Sequence, residues 1–255
     1  MGAGGGLRVD SLLKGRVVLV TGGAKRLGRE IAATLAAAGA RVVIHCHRSR
    51  VEAARLAGAL RRRGGEAWVV QADLEDQAQV ASLIDRSRAL CGPVHMLVNS
   101  ASIYPESRLA DFDAQELARN VQVNAFAPLV LGRSLAREPG AMAIVNLLDC
   151  RITDHDPAHV AYLLSKRMLD TLTRMMALEF APGVRVNAVA PGLILPPPGK
   201  TRSYLERMRG TNPLNAVGSA RDVAAAVLFL LESKFITGQV VFVDGGRHLR
   251  GSVHG

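Results

Sequence analysis

Short β-branched runs alternate with long amphipathic stretches from one end of the chain to the other, and few folds accommodate that alternation. The runs are Arg16 to Val20, Arg41 to His45, Ala67 to Gln71, His95 to Asn99, Ala143 to Leu148, Val184 to Val189 and Val240 to Val243. Between them lie Leu27 to Ala38, Val51 to Arg63, Gln77 to Leu90, Asp113 to Ala136, His159 to Phe180 and Ala220 to Leu231. Strands that are apolar throughout are covered on both faces, and strands separated by helical crossovers run parallel. The pattern therefore predicts an α/β fold, a single-domain, Rossmann-like, doubly wound parallel sheet of seven strands with helices on both faces. Gly39, Gly64, Gly92, Gly140 and Gly183 stand where the helices should stop. No repeat or linker divides residues 11–255, and the glycine-rich start, residues 1–10, is expected to be disordered. One segment breaks the rhythm. Leu193 to Leu214 carries Pro196, Pro197, Pro198 and Pro213 around a short helical piece, Tyr204 to Met208, and reads as a substrate lid over about 193–214.

Composition excludes several classes. With 49% hydrophobic and 21% charged residues in 255, the chain can bury a full core, and disorder is not its main state. Its longest apolar runs, such as Val223 to Leu231, fall well short of the roughly 20 residues of a membrane span. The start MGAGGGLRVD lacks the apolar centre of a signal peptide, so a cytoplasmic location without membrane contact is expected. Cys46, Cys91 and Cys150 are scattered and form no CxxC. The HxxxH from His155 to His159 contains Pro157 and lacks a third ligand, so no metal is expected. A net charge of +10 invites phosphate binding, but the excess concentrates between Lys25 and Arg63, and 4% aromatics leave few platforms for stacking bases. No nucleic-acid partner is expected.

The first strand runs into Thr21-Gly22-Gly23-Ala24-Lys25-Arg26-Leu27-Gly28 and then a helix, the setting in which backbone amides at a helix start face a pyrophosphate. A cofactor that needs a carboxylate on its ribose 2′-hydroxyl finds none after the second strand, where the residues are His45-Cys46-His47-Arg48-Ser49. A guanidinium and a hydroxyl there, with Lys25 and Arg26 on the same edge, suit a dianionic 2′-phosphate. NADPH/NADP is therefore the expected cofactor, with Gly22, Lys25, Arg26, Leu27, His47, Arg48 and Ser49 among its contacts. Tyr162 and Lys166 lie four apart and share a helix face. An ammonium beside a phenol is expected to lower the phenol's pKa from near 10.

These residues fall into an ordered set. The chain resembles the short-chain dehydrogenase/reductase superfamily over essentially its whole length. The family's TGxxxGxG stands at Thr21 to Gly28 with Arg26 for the middle glycine, and Asp73 stands in Gln71-Ala72-Asp73-Leu74. Asn99-Ser100-Ala101-Ser102 matches NNAG, Tyr162-Leu163-Leu164-Ser165-Lys166 matches YxxxK, and Pro191-Gly192 and Val243 to Gly246 complete the series. The resemblance implies an NADP-dependent oxidoreductase in which Tyr162 gives a proton to a small-molecule substrate and Lys166 also contacts the nicotinamide ribose. It implies Asp73 and Leu74 near the adenine, and Asn99, Ser100, Ala101, Ser102, Pro191 and Gly192 along the cofactor. Asn124 matches the family's helix Asn that supports a proton relay to the Lys, and the resemblance also implies a homotetramer formed through the two long helices, Asp113 to Ala136 and His159 to Phe180.

Where the family carries a catalytic Ser, thirteen residues before the Tyr, this sequence has Asp149. A Ser donates to a carbonyl oxygen, whereas a carboxylate accepts from N–H or, once protonated, relays a proton, which suits reduction of a C=N bond. The Asp-Tyr-Lys set, together with TGGAKRLGREIA, RVVIHCHRS, VQADL and VNSASIYP, is similar to the pteridine reductases. That resemblance implies a dihydropterin or dihydrofolate substrate contacted by Arg26, Ser102, Asp149, Tyr162 and Leu193, with Tyr104 as a stacking platform. In those enzymes a C-terminal Arg of a neighbouring subunit reaches the site, and Arg250 is the nearest match here. The enzymatic alternative is an NADPH-dependent ketone or 3-oxoacyl thioester reductase in which Asp149 merely replaces Ser. The non-enzymatic alternative is an NADPH-binding regulator.

Overall fold

The computed structural model describes residues 11–250 apart from residue 198. The start expected to be disordered, and residues 251–255, lie outside the described residues. Seven strands form one parallel sheet: β1 (Val17–Thr21), β2 (Arg41–Cys46), β3 (Ala67–Gln71), β4 (Met96–Asn99), β5 (Ala143–Leu147), β6 (Arg185–Pro191) and β7 (Val240–Val243). Their order across the sheet is β3-β2-β1-β4-β5-β6-β7. Every expected strand is present, with ends displaced by at most two residues, as at β6. The helices are α1 (Arg26–Ala37), α2 (Arg50–Arg62), α3 (Gln77–Cys91), α4 (Ala114–Val121), α5 (Ala127–Leu135), α6 (Val160–Glu179), α7 (Arg202–Met208) and α8 (Ala220–Glu232). Among the described residues no helix is long and apolar enough to cross a membrane.

Burial on both faces explains why the strands read as unbroken apolar runs. All five residues of β1 are buried. Val18 and Val20 face a core with Ile31 and Leu35 of α1, Leu56 of α2 and Val227 of α8. Val17 and Leu19 face the opposite core, with Leu83 of α3, Leu131 of α5 and Met176 of α6. Each such side chain stabilises the fold by about 1.5–3 kcal/mol through apolar area removed from water.

Two elements depart from the sequence reading. The helix expected as one piece from Asp113 to Ala136 is α4, a π-helical turn over Gln122–Phe126, and α5. Pro128 supplies the reason: it has no N–H, so the carbonyl of Asn124 loses its i+4 donor, and Ala127 N–H instead bonds Gln122 O five residues back. The short helical piece in the proline-rich segment begins earlier than expected, at Arg202, and continues into a 3₁₀ turn, Arg209–Thr211.

After β3 the chain crosses to β4 on the other side of β1, so the strand order reverses there. A crevice opens beyond the carboxyl ends of β1 and β4, where Thr21 and Asn99 stand in register.

Candidate active site

The loop after β1 is built for close approach. Gly22 has φ +63, and a Cβ there would lie 2.9 Å from the Cα of Ala101. A Cβ on Gly28 would collide with the carbonyl oxygen of Gly22, so α1 packs directly on its own entry turn. Thr21 Oγ1 accepts from the amides of Ser100 (3.0 Å) and Ala101 (3.1 Å), which ties β1 to the loop after β4. Arg26, where the glycine motif has its middle glycine, has φ +50. A non-glycine residue in that region carries about 1–2 kcal/mol of strain. Its Nη2 donates to the carbonyl of Pro196 at 2.5 Å and so joins the glycine loop to the proline-rich segment.

His45 was legible only as a neighbour of Arg48, yet it organises this loop. Its Nδ1 accepts from Gly22 N–H at 3.1 Å, and its Nε2 lies 3.1 Å from the carbonyl of Ala72. Burial lowers its pKa to about 4, so the ring is neutral at pH 7, with Nε2 the protonated nitrogen that this pairing requires. The available signal was a lone histidine inside the apolar strand Arg41–Cys46.

Two cavities share Gly22 and Lys25. The outer one, about 290 Å³, is lined by His47, Arg48 and Ser49. Its Glu75 is paired with Arg119 at 2.7 Å. The inner one, about 510 Å³, is lined by Arg26, Leu27, Ser100, Ala101 and Ser102 on one side, and by Lys166, Pro191, Gly192 and Leu193 on the other. Asp149, Tyr162 and Tyr104 line it as well. Arg26 does not share the outer cavity with Arg48, contrary to the expected single cationic edge, because its side chain turns toward Pro196. Asp73, Leu74, Asn99 and Asn124 line neither cavity. Asp73 instead sits 3.5 Å from His47, and Asn99 is buried against Asn146 at 2.8 Å. The donor set fits an elongated phosphate-bearing dinucleotide: glycine-loop amides, then Lys25 and Arg48 outside, and Lys166 at the inner end.

At that inner end Asp149 follows β5 and accepts from Arg151 N–H at 2.9 Å through Oδ1. Through Oδ2 it accepts from the Tyr162 hydroxyl at 2.9 Å. Lys166 is buried, donates to the carbonyl of Leu147 at 2.7 Å, and lies 5.7 Å from the Tyr162 ring centre. The expected lowering of the Tyr162 pKa by Lys166 is not what results. Burial, followed by the charge of Asp149 and the hydrogen bond to it, raises the phenol well above its ordinary value. The phenol is therefore held protonated at neutral pH. Burial lowers Lys166 to about 8 against the opposing pull of Asp149.

Asn124, in the π turn, is buried behind the site. Its Oδ1 accepts from Ser102 Oγ (3.0 Å) and Ile103 N–H (2.9 Å), and its Nδ2 donates to Ser165 Oγ at 3.0 Å. Ser165 in turn donates to the carbonyl of Tyr162, which completes a polar chain from the loop after β4 to α6. Tyr104 stacks on His159, with ring centres 3.9 Å apart, and meets Tyr162 edge-on at 4.6 Å. Arg250 lines neither cavity; it donates to the carbonyl of Gly210 in its own chain. Among the described residues no group of three or more His, Cys, Asp or Glu is placed to hold a metal.

A family profile described as enoyl-(acyl carrier protein) reductase matches residues 22–248. Pteridine reductase 1 of Leishmania tarentolae is 34% identical, with 91% of this chain and 96% of that protein covered. An NADPH-dependent aldehyde reductase-like chloroplastic protein of Arabidopsis thaliana is 33% identical, over 92% of this chain and 94% of that protein. Among solved structures, the FolM alternative dihydrofolate reductase 1 of Brucella canis, complexed with NADP, superposes with a TM-score of 0.89 at 36% identity. That superposition covers 94% of this chain and 96% of that one. With its parallel sheet, glycine loop and Tyr-Lys pair in one cavity, and with these matches along nearly all its length, the chain belongs to the short-chain dehydrogenase/reductase family of oxidoreductases.

Proposed function

We propose that the protein uses NADPH to reduce a pterin-like heterocycle, a dihydropterin or dihydrofolate, at a C=N bond. The observation that carries this reading is the 2.9 Å hydrogen bond from the Tyr162 hydroxyl to Asp149, where carbonyl reductases of the family have Ser. The likeness to pteridine reductase 1 and to the FolM reductases supports the same substrate class.

NADPH, when bound, supplies the hydride. Its 2′-phosphate would be held by Arg48, Ser49, His47 and Lys25 and its pyrophosphate by the loop of Gly22, Arg26 and Leu27, and its adenine would lie past His47 toward Asp73 and Leu74. Ser100, Ala101, Ser102, Pro191 and Gly192 would frame its inner half, with Asn99 buried beneath that loop on Asn146, and Lys166 would take the ribose. Tyr162, held protonated by burial, gives its proton to the substrate nitrogen. Lys166, still an ammonium at pH 7, stabilises the resulting phenolate. Asp149 holds the hydroxyl until substrate arrives, then releases it to the substrate nitrogen and accepts from substrate N–H groups instead, a task Ser performs poorly. Asn124 holds the loop of Ser102 against α6, and Pro128 removes the i+4 donor from the Asn124 carbonyl, which suits that carbonyl to a relay water for reprotonation. Tyr104, with one face on His159, and Leu193 bound the substrate ring. The segment 193–214 closes over it, tied by Arg26 to the glycine loop. The exposed apolar stripe of Leu164, Met168, Met175 and Leu178 on α6 supports self-association through that helix, one of the contacts of a homotetramer.

The test is NADPH oxidation against dihydrobiopterin, dihydrofolate, quinonoid dihydropterin and an acetoacetyl thioester. Preferred turnover of the pterins or dihydrofolate is expected. Preference for the thioester, or for simple aldehydes, would replace this reading with a carbonyl reductase.

A further inference from the structure

The inner cavity is lined by five cations, Lys25, Arg26, Arg151, Lys166 and Arg247, and by one carboxylate, Asp149. Four of the cations are engaged within the chain: Lys25 with Glu52 at 2.8 Å, Arg26 with Pro196 O, Arg151 with Asp156 at 2.7 Å, and Lys166 with Leu147 O. Arg247 is half-buried, and among the described residues no carboxylate or carbonyl pairs with its guanidinium. A partly desolvated guanidinium without an acceptor calls for an anion from outside the chain.

The position of Arg247 is held firmly. It opens a 3₁₀ turn, Arg247–Leu249, whose preceding Asp244 is buried and accepts from Gly246 N–H (2.9 Å), His248 N–H (2.7 Å) and the His248 ring (2.9 Å). The ring of His248 also stacks on Phe242 with centres 3.9 Å apart. The turn packs on the 3₁₀ turn Cys150–Thr153 that follows Asp149. Arg247 thus shares the lining with Cys150, Tyr204 and Met208 as well as with Asp149 and Tyr162. Along α7, which contributes Tyr204, Leu205 and Met208 to the cavity, and its flanks, Lys200, Arg202, Arg207 and Arg209 are exposed, with Glu206, paired with Arg202 at 3.3 Å, as the one acidic residue among them.

Resting on the pterin reading above, we propose that Arg247 is a specificity-determining residue and that the substrate it selects carries a carboxylate-bearing tail beyond its reducible ring. Dihydrofolate and its γ-glutamyl conjugates have such a tail; dihydrobiopterin does not. A carboxylate can take two parallel N–H···O bonds from one guanidinium, which Lys cannot reproduce. The exposed cations of α7 and its flanks add a field that draws longer anionic tails and that salt screens.

The experiment compares KM and kcat for dihydrofolate, dihydrofolate triglutamate and dihydrobiopterin in the unaltered protein, Arg247→Gln and Arg247→Lys, with melting curves to check folding. Arg247→Gln should raise KM for dihydrofolate about tenfold or more, the usual weight of a hydrogen bond to a charged group. Dihydrobiopterin should keep its kcat/KM within about twofold, and Arg247→Lys should fall between. Raising NaCl from about 0.05 to 0.5 M should erode the advantage of the triglutamate over dihydrofolate. Equal kcat/KM for dihydrofolate and dihydrobiopterin in the unaltered protein would overturn the proposal, as would a loss in Arg247→Gln shared by both. Turnover of neither substrate would count against the pterin reading instead. Calorimetry of folic acid and biopterin against the NADP-loaded protein then decides the role of Arg247: tighter folic acid binding that Arg247→Gln abolishes supports it, and equal affinities refute it.

Discussion

Asp149 does two things that a substitution can separate. It caps the 3₁₀ turn after β5 and it accepts from Tyr162. Ser is an equally good cap, so Asp149→Ser keeps the turn while removing the carboxylate. Dihydropterin turnover is expected to fall roughly 10²- to 10⁴-fold, the usual weight of a participant in general acid catalysis, with KM for NADPH almost unmoved. Steady-state rates on dihydropterin at saturating NADPH measure this; retained turnover would reduce Asp149 to a cap. Arg48 is exposed at the rim of the outer cavity, so replacing it tests cofactor choice without disturbing the core. Arg48→Asp should weaken NADPH by about 1.5–3 kcal/mol and leave NADH little changed. Titrating both cofactors by fluorescence would check it, and equal affinities in the unaltered protein would rule out a 2′-phosphate site.

At the scale of elements, the glycine loop depends on a side chain from the neighbouring strand. β2 delivers His45 to Gly22 N–H, while the His45 carbonyl accepts from Gly23 N–H at 3.0 Å. Because the folded pKa is about 4 and the unfolded value is 6.5, the unfolded chain takes up a proton that the folded chain refuses. Stability should therefore decline as pH falls from about 6.5 to 4, by an amount of order 3 kcal/mol from this residue. His45→Gln should flatten that acid limb in urea melts recorded across the range, and should raise KM for NADPH more than it lowers kcat. An unchanged acid limb would mean that other groups carry the pH dependence. The π turn is a second device of this kind. Pro128 and the bonds of Asn124 to Ile103 and Ser165 bend one predicted helix into two and bring the polar chain to α6.

Over the whole molecule, α6 presents a stripe that its own chain leaves uncovered. Leu164, Met168, Met175 and Leu178 share one helix face and are 43%, 42%, 58% and 82% exposed. A contiguous apolar stripe of this size on a helix whose opposite face carries Tyr162 and Lys166 is expected to be covered by another copy of the chain. Light scattering after size exclusion should give a tetramer, and Met175→Asp with Leu178→Asp should reduce its mass. A monomer for the unaltered protein at tens of micromolar would exclude the assembly.

Local pattern alone determined much of this protein. Strand count, parallel pairing, the glycine loop, the absence of a carboxylate near Arg48 and the Asp149-Tyr162-Lys166 set depend on periodicity and short fixed spacings, which any segment carries within itself. Even the break in the helix of residues 113–136 was written locally, in Pro128. What tertiary structure decided was which distant groups meet and how much water reaches them. His45 finds Gly22 only because β2 lies beside β1 in the sheet, and Arg247 reaches the cavity of Asp149 only because β7 ends next to β6. The direction of the Tyr162 pKa reversed for the same reason. The Lys four residues away was visible in the sequence, but the desolvation that outweighs it belongs to the packed molecule.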